Sequence, residues 1–258
     1  MGGETRKSLD VVRHAAVRRA ALAVGIALLV VVAFAPAGSA PAARPAPTTI
    51  SFSGYTWTVK QSYRPVGPGP NYFSSSSDNV WVDATGRLHL KITFADGHWN
   101  CAEVINTTSL GLGTYTFTLD SPVDALDPSA SLGLFTWADF RAYNHREIDI
   151  EFSRWSNPAD PTNGQYVVQP YNTPGNLLRI TQPAGVTTST HSFTWGTSTV
   201  AFSSSSASPG AWTYAGSDVP PPGGEKVHMN VWLFNAAPPT ESQPVEVIVK
   251  SFSFTPLS

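Results

Sequence analysis

From Ile50 onward the apolar residues recur at every second position rather than every 3.6, so this chain can bury them only as β-strands. Leu88, Leu90, Ile92 and Phe94 alternate with Arg87, His89, Lys91 and Thr93. Tyr115, Phe117 and Leu119 alternate with threonines, and Met229, Val231 and Leu233 are set against His228, Asn230, Trp232 and Phe234. Turn signals separate the runs: Asp83 to Gly86, Asp96-Gly97, Asn163-Gly164, Pro174-Gly175, Pro209-Gly210 and Pro220 to Gly224. About a dozen strands at short spacing, with no long helix, predict an all-β fold. With no internal repeat, a single two-sheet sandwich over residues 50–258 is the simplest partition.

The first 42 residues read as an address. Arg13, Arg18 and Arg19 precede an apolar run from Ala20 to Ala35, and a small-residue stretch follows with Ala40 and Ala42 as an A-x-A site. That order is the layout of a secretory leader, with cleavage expected after Ala42. An N-terminal anchor is the alternative, although the run is shorter than the roughly 20 residues that span a bilayer. Residues 43–49 form an Ala/Pro-rich linker. The expected destination is extracellular, with membrane contact only if the apolar segment is kept. Six of the 16 basic residues lie in residues 1–47, which leaves 16 acids and 10 bases, a net charge of −6, for the remainder. No basic stripe is left to neutralise phosphates, so nucleic acid is excluded as a partner. The lone Cys101 has no internal disulfide partner and reads as a small buried hydrophobe. A monomer is expected.

The chemistry is concentrated between His145 and Trp155. Read as a strand, this stretch puts Ile148, Ile150 and Phe152 on one face and His145, Glu147, Asp149, Glu151, Ser153 and Trp155 on the other. Acidic residues are poor strand formers, and three on one face repel one another. Such repulsion raises carboxyl pKa values, which glycoside hydrolysis needs: one carboxyl must stay protonated while another is ionised. Residues four apart on a flat strand have Cα atoms roughly 13 Å apart. Retaining glycosidases hold their carboxyl groups about 5–5.5 Å apart. A strand bent concave toward a groove closes most of that gap; without curvature, inverting chemistry fits better. A plain solvated acidic face is the alternative to either.

The run Glu147-Ile148-Asp149-Ile150-Glu151-Phe152 resembles the signature of glycoside hydrolase family 16, which includes lichenases, laminarinases, agarases and xyloglucan-active enzymes. Four other segments resemble the family in order: Ala102-Glu103-Val104 with Gly111 to Tyr115, Leu134 to Trp137, His191 to Trp195, and Met229 to Trp232. The resemblance covers nearly all of residues 50–256. It implies a concanavalin-like jelly-roll of two curved antiparallel sheets with a concave cleft, and a retaining double displacement. It further implies Glu147 as nucleophile, Glu151 as general acid/base and Asp149 as the assisting residue between them. No extra residue precedes the last Glu, which favours the regular-strand type. Many members carry an Arg where this chain has Ile105. Many bind structural calcium through an Asp in the last strand, where Val245–Phe252 offers only Glu246, out of register. No metal or other cofactor is therefore expected.

Sugar rings present flat C–H faces, so clefts for them are lined by aromatics and short polar side chains. The substrate-binding candidates are Glu103, Trp137, His145, Trp155, Gln169, Tyr171, Asn230 and Trp232. Each has a bland alternative: packing for the tryptophans, a surface ion pair for Glu103, a strand end for His145. Pro170 weakens the placing of Gln169 and Tyr171 on one strand face. Trp57, Trp81 and Trp212 are assigned to packing or surface. Asn106-Thr107-Thr108 is a glycosylation sequon. The expectation is a secreted endo-acting hydrolase of a β-linked polysaccharide, β-1,3- or β-1,3-1,4-glucan. A non-catalytic carbohydrate-binding protein or a transglycosylase on the same fold are the rivals.

Overall fold

The computed structural model describes residues 46–140 and 146–258, and the latter part of the chain, from residue 46, belongs to one compact unit. Among the described residues there are sixteen strands, numbered along the chain, and no α-helix. One sheet runs β11 (Leu177–Ile180), β10 (Gly164–Val168), β9 (Ile148–Ser153), β8 (Ala130–Trp137), β15 (Lys226–Leu233), β6 (His98–Ser109), β2 (Tyr55–Val59) and β1 (Thr49–Phe52). The other runs β14 (Ala211–Tyr214), β13 (Val200–Ser204), β12 (Ser189–Trp195), β7 (Gly113–Leu119), β16 (Val245–Pro256), β5 (Leu88–Ala95) and β4 (Val80–Val82). The short β3 (Tyr72–Phe73) lies parallel to β6. Neighbours within each of the two sheets are antiparallel, and the fold is a jelly-roll sandwich. The β5–β6 hairpin passes from one sheet to the other: β5 pairs with β16 at Leu88–Ile92 and with β6 at Thr93–Ala95.

The core forms where the two inner faces meet. Ile148, Ile150 and Phe152 of β9 and Tyr166 and Val168 of β10 are fully buried, as are Tyr115, Phe117 and Phe193 of the opposite sheet. Tyr166 stacks on Phe202 at 4.9 Å between ring centroids, which joins the two layers. Burying three large apolar side chains contributes roughly 1.5–3 kcal/mol each. That outweighs the weak strand propensity of the acids between them, a scale of about 1 kcal/mol, so Ile148 to Phe152 pairs as a strand on the strength of one face.

Three local expectations change. Phe94 does not share the buried face of Leu88, Leu90 and Ile92: it is 60% exposed at the end of β5, where its ring meets Trp99. Asn163-Gly164 is not a turn, because Gly164 is the first residue of β10, so close to β9 that an added Cβ would lie 2.9 Å from the Glu151 carbonyl. β10 stops at Val168, before Pro170, and Tyr171 therefore lies beyond the strand rather than on its face. Asp96 and Gly97 do turn the β5–β6 hairpin, both with positive φ.

Candidate active site

The outward face of the first sheet carries a cross-strand row built entirely by register. Arg179 on β11 faces Gln165 on β10, Gln165 faces Glu151 on β9, Glu151 faces Gly133 on β8, Gly133 faces Asn230 on β15, and Asn230 faces Glu103 on β6. Asp149, Phe135 and His228 form the next row, and Glu147 precedes the first residue of β9. These rows floor a cleft of about 650 Å³. Its lining includes Glu147, Asp149, Glu151, Glu103, Phe135, Trp137, His228, Asn230 and Trp232, with Lys60 to Pro68 contributing further residues. Gly133 keeps the floor open, since a Cβ there would lie 2.6 Å from Asn230 Oδ1. That Oδ1 is buried without a hydrogen-bond partner among the described residues, an acceptor suited to a sugar hydroxyl.

Each carboxylate has a different set of partners. Gln165 Nε2 donates to Glu151 Oε2 at 2.7 Å, and Gln169 Nε2 donates to Asp149 Oδ2 at 3.1 Å. Asp149 and Glu147 are hydrogen-bonded to each other. Glu103 is bound by Lys60 Nζ at 2.7 Å, by His228 Nδ1 at 2.9 Å and by Asn230 Nδ2 at 3.4 Å. Lys60 also stands 4.1 Å above the Phe73 ring and donates to the Gly67 carbonyl.

These partners divide the protons. Burial alone would raise Glu103, but the His228 hydrogen bond and the Lys60 charge outweigh it and hold the carboxyl below its usual range. Burial raises Asp149 well above the ordinary carboxyl range, and the charges of Glu147 and Glu151 add to it. Burial also raises Glu147, opposed by the hydrogen bond from Asp149. Glu151 is pushed up to about 7 by burial, with Gln165 and the Arg179 charge opposing. The hydrogen bond with the fully enclosed Asp149 offsets part of the burial effect on Glu147, which is still pushed up to about 8. All three carboxyls of this face therefore hold protons more tightly than free carboxylates, while Glu103 across the cleft stays ionised.

The structure does not bring every expected side chain to the cleft. β9 ends at Ser153, whose hydroxyl accepts from the Trp155 amide, and Trp155 has φ +52°, so the alternation that put it on the carboxylate face stops short of it. Trp155 packs instead against Trp232 and Phe234, at 6.1 and 5.3 Å between ring centroids, and supports Trp232 from behind. Tyr171 is 63% exposed and outside the cleft lining. Gln169 reaches the site through Asp149 rather than through the lining. His145 lies outside the described residues. The Asn106 side chain is 1% exposed, so the sequon offers no accessible amide. Glu246 bonds His89 on the opposite sheet, at 2.6 Å. Among the described residues no group of three or more His, Cys, Asp or Glu is placed to hold a metal ion.

Sequence reasoning missed Gln165, Arg179, Lys60 and Phe135. Gln165 was within reach, because it sits four residues before Gln169 in the same stretch; Lys60 carries no local signal, since its partner is 43 residues away.

No protein-family model matches the sequence, and no curated protein matches it. Solved structures do share the fold. A β-glucanase of Bacillus licheniformis superposes with a TM-score of 0.61 at 18% identity, over 78% of this chain and 92% of that one. A β-1,3-glucanase from Mycobacterium marinum gives 0.60 at 16% identity, over 77% and 90%. A Mycobacterium tuberculosis protein described as an immunostimulatory antigen and pseudo β-1,3-glucanase gives 0.60 at 18%, over 78% and 91%.

Proposed function

We propose that this chain is a secreted endo-acting glycoside hydrolase that cleaves a β-linked polysaccharide, β-1,3- or β-1,3-1,4-glucan, by a retaining double displacement. The observation that carries the reading is that Asp149 and Glu151 of β9 and Glu147 just before it line a single cleft with Asn230, Trp137 and Trp232. Glu147 attacks the anomeric carbon. Glu151 gives its proton to the departing glycosidic oxygen, then takes one from the water that hydrolyses the glycosyl–enzyme ester. Asp149 holds a proton against Glu147 and releases the carboxylate for attack. Trp232, braced by Trp155 and Phe234, offers a ring face to a sugar, and Trp137 offers a second at the Glu147 end. The glucanases that share the fold support the substrate class. The basic–apolar–small order of residues 1–42 supports export.

One neighbour is described as a pseudo β-1,3-glucanase, which favours a second reading as a carbohydrate-binding protein without turnover. A single experiment separates the two. The exported form is assayed for reducing ends and product lengths on β-1,3-glucan, mixed-linkage glucan, xyloglucan and galactans. Wild type releases oligosaccharides from one of them, and Glu147→Gln binds that polymer but releases none. Equal release by Glu147→Gln removes the nucleophile assignment; binding without release by wild type establishes the second reading.

A further inference from the structure

Two carboxylates occupy the same cross-strand row, and each has a cation outboard of it, but the cations are joined differently. Glu103 meets Lys60 directly at 2.7 Å. Glu151 is linked to Arg179 through an amide. Gln165 stands between, donating Nε2–H to Glu151 Oε2 at 2.7 Å while its Oε1 accepts from Arg179 Nη1 at 3.0 Å. Arg179 is clamped in turn. Its Nη2 reaches Asp160 Oδ2 at 3.0 Å and the Ser153 carbonyl at 3.3 Å, and its Nε donates to Thr162 Oγ1 at 2.8 Å. Asp160 also accepts from the Thr162 amide at 2.8 Å. Gln165 is 7% exposed, so its amide has little water to fall back on.

A primary amide has a donor end and an acceptor end. An arginine has only donors. Once Arg179 occupies Oε1, the NH₂ end of Gln165 is obliged to face Glu151, and Glu151 Oε2, accepting from that donor, is the oxygen that does not carry the proton. We propose that Arg179 and Gln165 are a positioning relay for Glu151: the clamped guanidinium selects the amide orientation, and the amide directs the acid proton to Oε1. The relay acquires its catalytic meaning from the glycosidase reading above. It separates the two carboxylates of the row by construction. A cation in contact keeps Glu103 ionised, whereas a cation one amide away orients Glu151 and leaves it able to hold a proton near neutrality.

The strands around Glu151 bring further charged groups. Asp149 and Glu147 share its own strand; β8 presents only Gly133 opposite; β15 brings Asn230, with His228 one row on; β6 brings Glu103 with its Lys60; and Asp160 is engaged by Arg179. Arg179 is thus the cation that reaches Glu151 from the β10–β11 side.

The test is a carbon-13 titration of the Glu151 side chain in the folded domain, assigned by difference with Glu151→Gln, alongside the pH–rate profile on the best polymer. Arg179→Gln and Gln165→Met each raise the Glu151 pKa, by about one unit, and the basic limb of kcat/KM moves up with it. Arg179→Lys, which keeps the charge, returns the titration most of the way to wild type. Titrations of Arg179→Gln and Gln165→Met that match wild type overturn the relay, as does a lower melting temperature with no movement of the titration. If Arg179→Gln fails to fold, Gln165→Met decides. The spectroscopic readout does not require turnover. Wild-type activity in Glu151→Gln would therefore sink the catalytic reading while the titration still judged the relay.

Discussion

β7 and β9 are both interior strands of antiparallel sheets, and both send apolar side chains into one core, yet their outward faces differ completely. On β7 the outward residues Thr114, Thr116 and Thr118 remain partly exposed, and two of them meet hydroxyls across to β12, Thr194 at 2.9 Å and Thr190 at 3.3 Å. On β9 the outward Asp149 is 2% exposed and Glu151 is half-buried, with Gln165, Asn230 and His228 buried around them. Water solvates one outward face and is largely withdrawn from the other, because the outer surface of the sheet that holds β9 is a cleft walled in part by residues 60–62 and 66–68. An outward sheet face that buries ionisable groups gives up stability for chemistry. A face of paired threonines does not.

The comparison is tested hardest at Glu151. Glu151→Gln should reduce turnover by roughly 10²–10⁴-fold, the scale of general acid–base catalysis, read as kcat on the polymer that wild type cleaves. It should also flatten the stability profile. The folded pKa of about 7 exceeds the ordinary carboxyl value of about 4.3, so the folded state keeps a proton that the unfolded chain loses between them. That stabilisation is complete below the lower value and disappears as pH rises through the upper one. Wild type should therefore melt at a lower temperature at pH 8 than at pH 5, with a smaller difference in Glu151→Gln. A steeper difference in the variant would mean that Glu151 ionises freely.

One residue away, on the core side of the same strand, Ile150→Ala should cost about 2–5 kcal/mol in denaturant unfolding, because it leaves a cavity among fully buried neighbours. Smallest of all, Thr118→Val on β7 should change stability by no more than about 0.5 kcal/mol and leave turnover unchanged. A large loss of activity there would erase the distinction between the two outward faces.

The clean alternation of β7 and β12 was legible directly, since one face meets the core and the other meets water. On β8, β10 and β15 almost every residue is buried, and alternation between apolar and exposed fails as a guide. There the legible signal was chemical: carboxylates, amides and histidines at every second position. The same period misplaced Trp155 and Tyr171, because a pattern continues on paper after a strand has ended. Ser153 and Pro170 mark those ends, and only the hydrogen bonds of the folded chain reveal them.

The sequence by itself determined that the chain is a β-sandwich and that Asp149 and Glu151 share a strand face, with Glu147 just ahead of it. Both follow from a period of two, which is local and needs no knowledge of neighbours. The tertiary structure alone decided that this face lies in a cleft, that Lys60 reaches Glu103, and that an amide separates Arg179 from Glu151. Those facts depend on strand order and register, which bring residues tens of positions apart within hydrogen-bonding distance. Proton affinity then follows from burial and from which partner arrives, and neither quantity is encoded within a single strand.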